Sequence, residues 1–243
     1  MSDNQPSESN PFTTRRFIVA AVIVGVVLLC AVVLVVGTVI GGQAKPTTGP
    51  TPSSTATHST ATDADPSVCG LKGYEATSSL DDAPKSDWQL VGTIAAPTDR
   101  KGAGPGKIDT DGFRSCYAHT ATGALYASAN FIALGSDATT RAKLPSLIAP
   151  GPGRDAAKAR SSESSDSTGY RAQIAGFKVD SYDGKNATID LALNYSTGQL
   201  VSLVLKLTWV EGDWKFIADD SGNLPIPPAA LQSLGGYTPW SGA

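Results

Sequence analysis

Reactive and metal-binding side chains are scarce in this sequence. Its 243 residues include three cysteines, two histidines and one methionine. A structural zinc site typically takes four ligands, and the region that we expect to fold offers Cys69, Cys116 and His119. His119 lies three residues after Cys116, but a nucleophile also needs a base and an orienting group beside it. We therefore predict no catalytic residue, no cofactor and no metal site, and we expect His119 on the surface near a helix start.

The sequence also lacks an excess of basic charge. Its 19 Lys and Arg residues against 22 Asp and Glu residues give a formal net charge of −3. A nucleic-acid-binding domain would carry a basic patch, so we expect no nucleic-acid partner. Asp109 and Asp111 begin like a calcium loop, but a third oxygen ligand and a correctly spaced glutamate are missing. We interpret them, together with Asp219 and Asp220, as solvated turn residues.

One long apolar run contains no charged residue at all. It begins at Phe17 and ends at Ile40, and a helix of that length would cover about 36 Å, enough to cross a hydrocarbon core of about 30 Å. Two arginines immediately precede the run, so the positive-inside rule places residues 1–16 in the cytoplasm. We predict a single-pass cell-membrane protein. The alternative is a signal peptide cleaved near Ala44, for which this run is too long.

Composition divides the rest of the chain. Residues 1–16 have almost no apolar side chains and are predicted to be a disordered tail. Residues 41–68 are rich in Pro, Thr and Ser, which predicts a disordered linker. Residues 69–243 hold all four tryptophans and are predicted to form one extracytoplasmic α+β domain. Cys69 and Cys116 fall in this part, where an oxidising compartment favours a disulfide; two free buried thiols are the alternative.

Helices are predicted in the first half of this domain. Thr120 or Thr122 can cap a helix whose C′ residue is Gly135. A shorter helix is expected to follow as far as Leu144, where a proline breaks it. Residues 155–166 fit either a polar surface helix or a mobile loop.

Strands are predicted mainly in the second half. One strand is expected at residues 88–94, and another at 172–179 with a bulge at Gly176. Two long strands then alternate apolar and polar side chains, and a short strand follows at 214–218. Short turns between these strands predict an antiparallel meander whose single apolar face is covered by the upstream helices. The inward positions of the two long strands are Ala187, Ile189, Leu191, Leu193, Tyr195, Val201, Leu203, Leu205, Leu207 and Trp209.

Two aromatic residues, Tyr237 and Trp240, lie near the end of the chain. Neighbouring prolines exclude this segment from a central strand. The two side chains either pack back onto the domain or form exposed contacts for a partner.

The order of elements carries a resemblance. Helices followed by a curved meander that closes at Gly212, Asp213 and Trp214 are similar to the cone-shaped α+β fold of the nuclear-transport-factor-like superfamily. Residues 85–243 also resemble an uncharacterised family of singly membrane-anchored actinobacterial envelope proteins. The motifs are Trp88, Ala96-Pro97, Gly104-Pro105, Gly112-Phe113, Gly123-Ala124-Leu125, Trp209, Gly212-Asp213-Trp214 and Pro239-Trp240-Ser241-Gly242.

That resemblance implies a location rather than a reaction. A short cytoplasmic tail, one anchor, a linker and an exported cone are also similar to the bitopic scaffold subunits of conjugative type IV secretion machines. Since fold alone does not assign function, this similarity is an analogy of architecture. The family resemblance implies an envelope protein that is encoded with conjugation or secretion genes.

We therefore expect a non-catalytic membrane protein whose exported domain is an assembly or docking module for other envelope proteins. The alternative is a binding module that holds an apolar ligand or a cell-wall fragment in the cone, and a cone-fold enzyme is the third hypothesis. An interior filled by side chains favours docking, whereas an open cavity of several hundred Å³ favours ligand binding.

Overall fold

The computed structural model describes residues 66–161 and 170–242. Within these two ranges, no helix combines the length and the apolar character needed to cross a membrane. The predicted cytoplasmic tail, the predicted anchor and nearly all of the predicted linker lie outside them.

A large antiparallel sheet dominates the described residues. Its strands are β5 (Ala172–Tyr182), β6 (Asn186–Tyr195), β7 (Leu200–Val210) and the shorter β8 (Asp213–Phe216). They neighbour one another in chain order, so the predicted meander is confirmed. With helices packed on one face, the domain is of the α+β class, as predicted.

Strand register places the apolar side chains on one face of the sheet. Ile189 pairs with Leu205, for example, and both are fully buried. Of the ten predicted inward positions, eight are buried, while Tyr195 and Val201 are half-buried. Each large apolar side chain that is fully buried contributes about 1.5–3 kcal/mol to folding. The predicted bulge at Gly176 is confirmed by a register shift directly before it.

The longest helix, α1 (Ala121–Gly135), covers this apolar face. Thr120 is its N-cap, and the Thr120 side chain accepts a hydrogen bond from the Gly123 N–H at 3.0 Å. Buried alanines along α1 let its backbone approach the strands closely. The predicted C′ residue, Gly135, is instead the last helical residue. Ser136 is the C-cap, and its hydroxyl donates to the carbonyl of Ala133 at 2.7 Å.

Three short elements follow α1. They are α2 (Ala138–Arg141), a 3₁₀ turn (Leu144–Leu147) and α3 (Pro152–Ser161). The predicted second helix therefore ends earlier than expected. Pro145 lies inside the 3₁₀ turn, where its missing N–H falls in the first turn and costs no hydrogen bond. Of the two alternatives for residues 155–166, the helix is present as far as Ser161.

A hairpin precedes α1. The strand predicted at residues 88–94 is two strands, β1 (Asp87–Val91) and β2 (Ile94–Thr98), paired antiparallel. The single-strand prediction is wrong because Gly92 adopts a φ of +59° and reverses the chain. A Cβ at Gly92 would lie 2.5 Å from the Ser136 hydroxyl oxygen, so glycine also permits close packing against the end of α1.

Four two-residue strands complete the fold. β3 (Lys107–Ile108) pairs with β4 (Arg114–Ser115) in a separate ladder. β9 (Ala229–Ala230) pairs with β7, and β10 (Thr238–Pro239) pairs with β5. The terminal segment therefore contacts strands on both sides of β6.

Candidate functional site

His119 is buried, so the expectation that it lies on the surface is wrong. It is 4% exposed, and its ring stacks on Trp209 with centroids 3.9 Å apart and planes 5° from parallel. Its Nε2 donates a hydrogen bond to the carbonyl of Gly184. Trp214 meets the same ring edge-on at 5.8 Å. The imidazole is therefore part of an aromatic cluster assembled from segments far apart in the sequence.

Cys69 and Cys116 form a disulfide, so Cys116 carries no thiol that could act as a nucleophile. The segment around Cys116 is also held by Asp213, which is 2% exposed. Asp213 accepts hydrogen bonds from the N–H groups of Cys116 at 3.0 Å and Tyr117 at 2.9 Å, and from Lys215 Nζ at 3.2 Å. The sequence marked Asp213 only as part of a turn, whereas the structure makes it an internal anchor.

The other acidic residues singled out in the sequence occupy two separate turns. Asp109 and Asp111 form ion pairs with Lys143, and the hydrogen bond from Lys143 lowers the pKa of the Asp111 carboxyl. Asp219 accepts a hydrogen bond from the Asn223 N–H at 2.8 Å. Among residues 66–161 and 170–242, no cluster of three or more His, Cys, Asp or Glu side chains could hold a metal ion.

The space between α1 and the sheet is filled by side chains. Leu125 and Leu134 of α1 are 0% exposed, as are Ile189, Leu191 and Leu205 of the sheet. Such interiors pack at the density of organic crystals and leave few voids larger than a water molecule. Side chains therefore occupy the interior in which the ligand-binding alternative would place its ligand.

The terminal aromatic residues pack onto the domain. Trp240 is 5% exposed; its ring contacts Trp88 at 4.7 Å, and its Nε1 donates to the Ser86 hydroxyl at 3.1 Å. Tyr237 is half-buried, and its hydroxyl donates to Asp190 Oδ2 at 2.6 Å. Of the two alternatives, exposed partner contacts are wrong for Trp240, because its indole closes an edge of the core.

A cleft of about 560 Å³ lies outside the sheet, and we call it the helical cleft. Its walls come from α1, α2, the 3₁₀ turn, α3 and the loop at residues 222–224. The apolar side chains among its described lining residues are Phe131, Ala138, Ala142, Leu144, Pro145, Ile148, Ala157 and Leu224.

Short-range contacts fix the walls of the helical cleft. Gly222 has a φ of +76°, and a Cβ there would lie 2.6 Å from the Ala157 nitrogen, so only glycine lets this loop lie directly against α3. Both terminal nitrogens of Arg154, on α3, donate hydrogen bonds to the Glu211 carboxylate, at 2.6 and 3.1 Å. The Arg154 Nε donates a hydrogen bond to the carbonyl of Ile148 at 2.6 Å. Because α3 is tied to the β7–β8 turn and to the segment after the 3₁₀ turn, the cleft is preformed.

Two arginines supply the charge of the helical cleft. Arg141 is half-buried, and its Nε donates to the carbonyl of Gly135 at 2.9 Å. Arg160 is exposed, and one terminal nitrogen donates to Asn223 Oδ1 at 2.6 Å. No acidic side chain is among the described residues that line the cleft. Asp219 lies close by; hydrogen bonds from Asn223 lower its pKa, and the charge of Arg160 lowers it further.

Sequence reasoning missed this site. Arg141 and Arg160 are nineteen residues apart and belong to different helices. Residues 155–166 fitted a loop as well as a helix, so the sequence offered no face on which to place Arg160. If residues 155–161 had been predicted as a helix, Ala157 and Arg160 would have been placed one turn apart on the same face, and that face is one wall of the cleft.

The sequence pattern of one family, described as a domain of unknown function (DUF8175), matches residues 48–239. This range covers 192 of the 243 residues, since 239 − 48 + 1 = 192, and it includes α1, the sheet and every wall of the helical cleft. No curated protein and no solved structure gives a significant match to the chain.

Proposed function

The chain belongs to the DUF8175 family of domains of unknown function, and from that premise we propose that it is a non-catalytic docking module. Its ligand is a segment of another envelope protein, held in the helical cleft. The observation that carries this proposal is a preformed cleft of about 560 Å³ beside a sheet whose interior is filled. That volume also falls within the roughly 300–1,000 Å³ of ordinary ligand pockets, which is why a bound small molecule is the second candidate.

The roles of the most reactive side chains support a non-catalytic function. His119 is stacked on Trp209, and Cys116 is bonded to Cys69. Asp213 accepts hydrogen bonds from its neighbours on two segments. Catalytic groups converge on a space that a substrate can enter, whereas each of these three groups is enclosed by the packing that it stabilises.

Exported, membrane-anchored placement belongs to the same proposal. The disulfide supports an oxidising compartment, where such bonds persist. The uncharged run from Phe17 to Ile40 supports a single anchor. The meander order and its helical cover support a cone-shaped fold of the nuclear-transport-factor-like kind. A scaffold role in conjugation or secretion rests on the resemblance of architecture alone.

A cleft-blocking variant tests the docking function. Ala142 is exposed and lines the helical cleft, so Ala142→Trp should fill it without disturbing the core. Ala230→Trp is the matched control, because Ala230 is exposed and does not line the cleft. Each tagged full chain is cross-linked in its own membranes and purified in mild detergent, and its partners are compared by quantitative mass spectrometry.

The wild type and Ala230→Trp should retain the same envelope protein, and Ala142→Trp should lose it. Equal recovery with all three chains would overturn the assignment of the cleft. A bound small molecule is the second candidate, because the same cleft is open to one. It predicts that solvent extracts of purified wild type, but not of Ala142→Trp, contain a compound at about one equivalent.

A further inference from the structure

We propose that the helical cleft recognises a polypeptide segment in which apolar side chains stand next to a carboxylate. This inference rests on the proposed docking function and names the chemistry of its partner. It follows from one juxtaposition: two guanidinium groups border an apolar floor on which the described residues place no acidic side chain.

The described residues that line the cleft carry charge of one sign. Among them, Arg141 and Arg160 contribute two positive charges, and the others are uncharged. An arginine presents a planar fork of donors that matches a carboxylate and can bind both of its oxygens. Arg141 is half-buried, so water screens its charge less than that of a fully exposed side chain. The electrostatic preference of the cleft is therefore for an anion.

The two arginines are oriented before any partner arrives. The carbonyl of Gly135, at the end of α1, accepts from Arg141 Nε. Asn223 accepts from Arg160, and Asn223 is itself held by its contacts with Asp219. Side chains that are already ordered lose less conformational entropy on binding. Arg160 keeps further N–H donors beyond the one used by Asn223, because a guanidinium carries five.

The floor of the cleft sets the second requirement. Phe131 of α1 and Ile148 after the 3₁₀ turn are largely buried at this floor, whereas Leu144 and Leu224 are half-buried and leave apolar surface open to the cleft. A small hydrophilic anion would leave these apolar surfaces in contact with water. A segment with one or two large apolar side chains beside its carboxylate would bury them, and such burial is favourable in proportion to area. Free phosphate or acetate should consequently bind far more weakly.

Three peptide probes with an uncharged fluorophore separate charge from shape. The first has two leucines followed by glutamate and an amidated end, and the second has glutamine in place of glutamate. The third has glutamine and a free terminal carboxylate. Binding is followed by fluorescence anisotropy with the full chain in lipid nanodiscs, and empty nanodiscs are the blank. The first and third probes distinguish a side-chain carboxylate from a chain terminus.

Matched variants locate the charge that matters. Arg160→Gln removes one cleft guanidinium, whereas Lys158→Gln removes an exposed positive charge from the same helix, outside the cleft lining. Arg160→Glu reverses the charge. Arg141→Gln is a second test at the other guanidinium. Circular dichroism of each chain shows whether it has folded.

We expect at least one carboxylate probe to bind about tenfold more tightly than the glutamine amide. Arg160→Gln should remove most of that difference, Arg160→Glu should invert it, and Lys158→Gln should leave it within about twofold. Raising the salt concentration should weaken the carboxylate probes alone.

Two results would overturn the inference, and they differ from a failure of docking itself. Equal binding of acid and amide, abolished by Ala142→Trp, would show an apolar cleft without carboxylate recognition. Failure of all three peptides, while Ala142→Trp still loses a cellular partner, would leave docking in place and refute this chemistry. If Ala142→Trp changes neither peptide binding nor the recovery of the cellular partner, the proposed docking function itself is refuted.

Discussion

Replacing Asp213 by alanine is expected to reduce the free energy of unfolding by about 3–5 kcal/mol, the range measured when one partner of a buried pair is removed. The Asp213 carboxylate accepts four hydrogen bonds: from Cys116, Tyr117 and Trp214 through their N–H groups, and from Lys215 Nζ. It lies at the start of β8 and joins that strand to the segment before α1. Its loss would leave buried donors and one largely buried ammonium group without these bonds.

The magnitude depends on which partner is removed. Hydrogen bonds to a charged group are worth about 1.5–3 kcal/mol each, and an orphaned buried donor costs about 1–3 kcal/mol. Lys215→Met leaves Asp213 with its three N–H donors but without its countercharge, so we expect a smaller loss of about 1.5–3 kcal/mol. A typical domain has only about 5–15 kcal/mol to lose, so Asp213→Ala should leave a folded but marginal protein.

Urea unfolding followed by tryptophan fluorescence measures the effect. All four tryptophans lie among the described residues, and Trp214 is adjacent to the mutated position. With a denaturant slope of about 2 kcal/mol/M, Asp213→Ala should lower the urea midpoint by roughly 1.5–2.5 M. A loss below about 1 kcal/mol, or equal losses for Asp213→Ala and Lys215→Met, would refute the reasoning that this carboxylate is an anchor.

Two further predictions concern stability. The disulfide between Cys69 and Cys116 closes a loop with a sequence separation of 47, so a double serine variant should lose about 4 kcal/mol; a urea midpoint unchanged by the substitutions would contradict this. Burial raises the pKa of Tyr170 to about 12. Its proton is therefore retained in the folded state, and the resulting stability is complete below pH 10 and lost as the pH rises through 12. In the Tyr170→Phe variant, the free energy of unfolding should depend less on pH over that window. At neutral pH the variant should lose about 1 kcal/mol, because the hydrogen bond to the Ile132 carbonyl is removed. A pH dependence equal to that of the wild type would contradict the burial argument.

The sheet could be predicted from the sequence because its signal is local and repeated. Alternation along β6 and β7 fixes which side chains face inward, and a shift by one residue would expose every one of them. Thr120 and the alanine-rich run after it define α1 in the same local way. Gly92 shows where a local signal was misread, since glycine fits a strand interior poorly and here reverses the chain.

The candidate site depended on distant contacts and could not be predicted in the same way. His119 lies beside Trp209 because β7 returns to the start of α1, ninety residues later in the chain. Arg141 and Arg160 border one cleft because Gly222 allows a loop to lie against α3. Neither contact leaves a periodic pattern in the sequence, since each depends on how whole helices and strands pack against one another.

The sequence by itself determined the class of the domain, the inward face of its long strands, the threonine that caps the start of its main helix and the scarcity of reactive side chains. These properties follow from side-chain periodicity and backbone preference, which act over a few residues. Only the tertiary structure decided that Asp213 is an anchor, that Trp240 closes the core and that two arginines border an apolar cleft. Those outcomes depend on the distances between elements, which are set when the apolar faces are buried together.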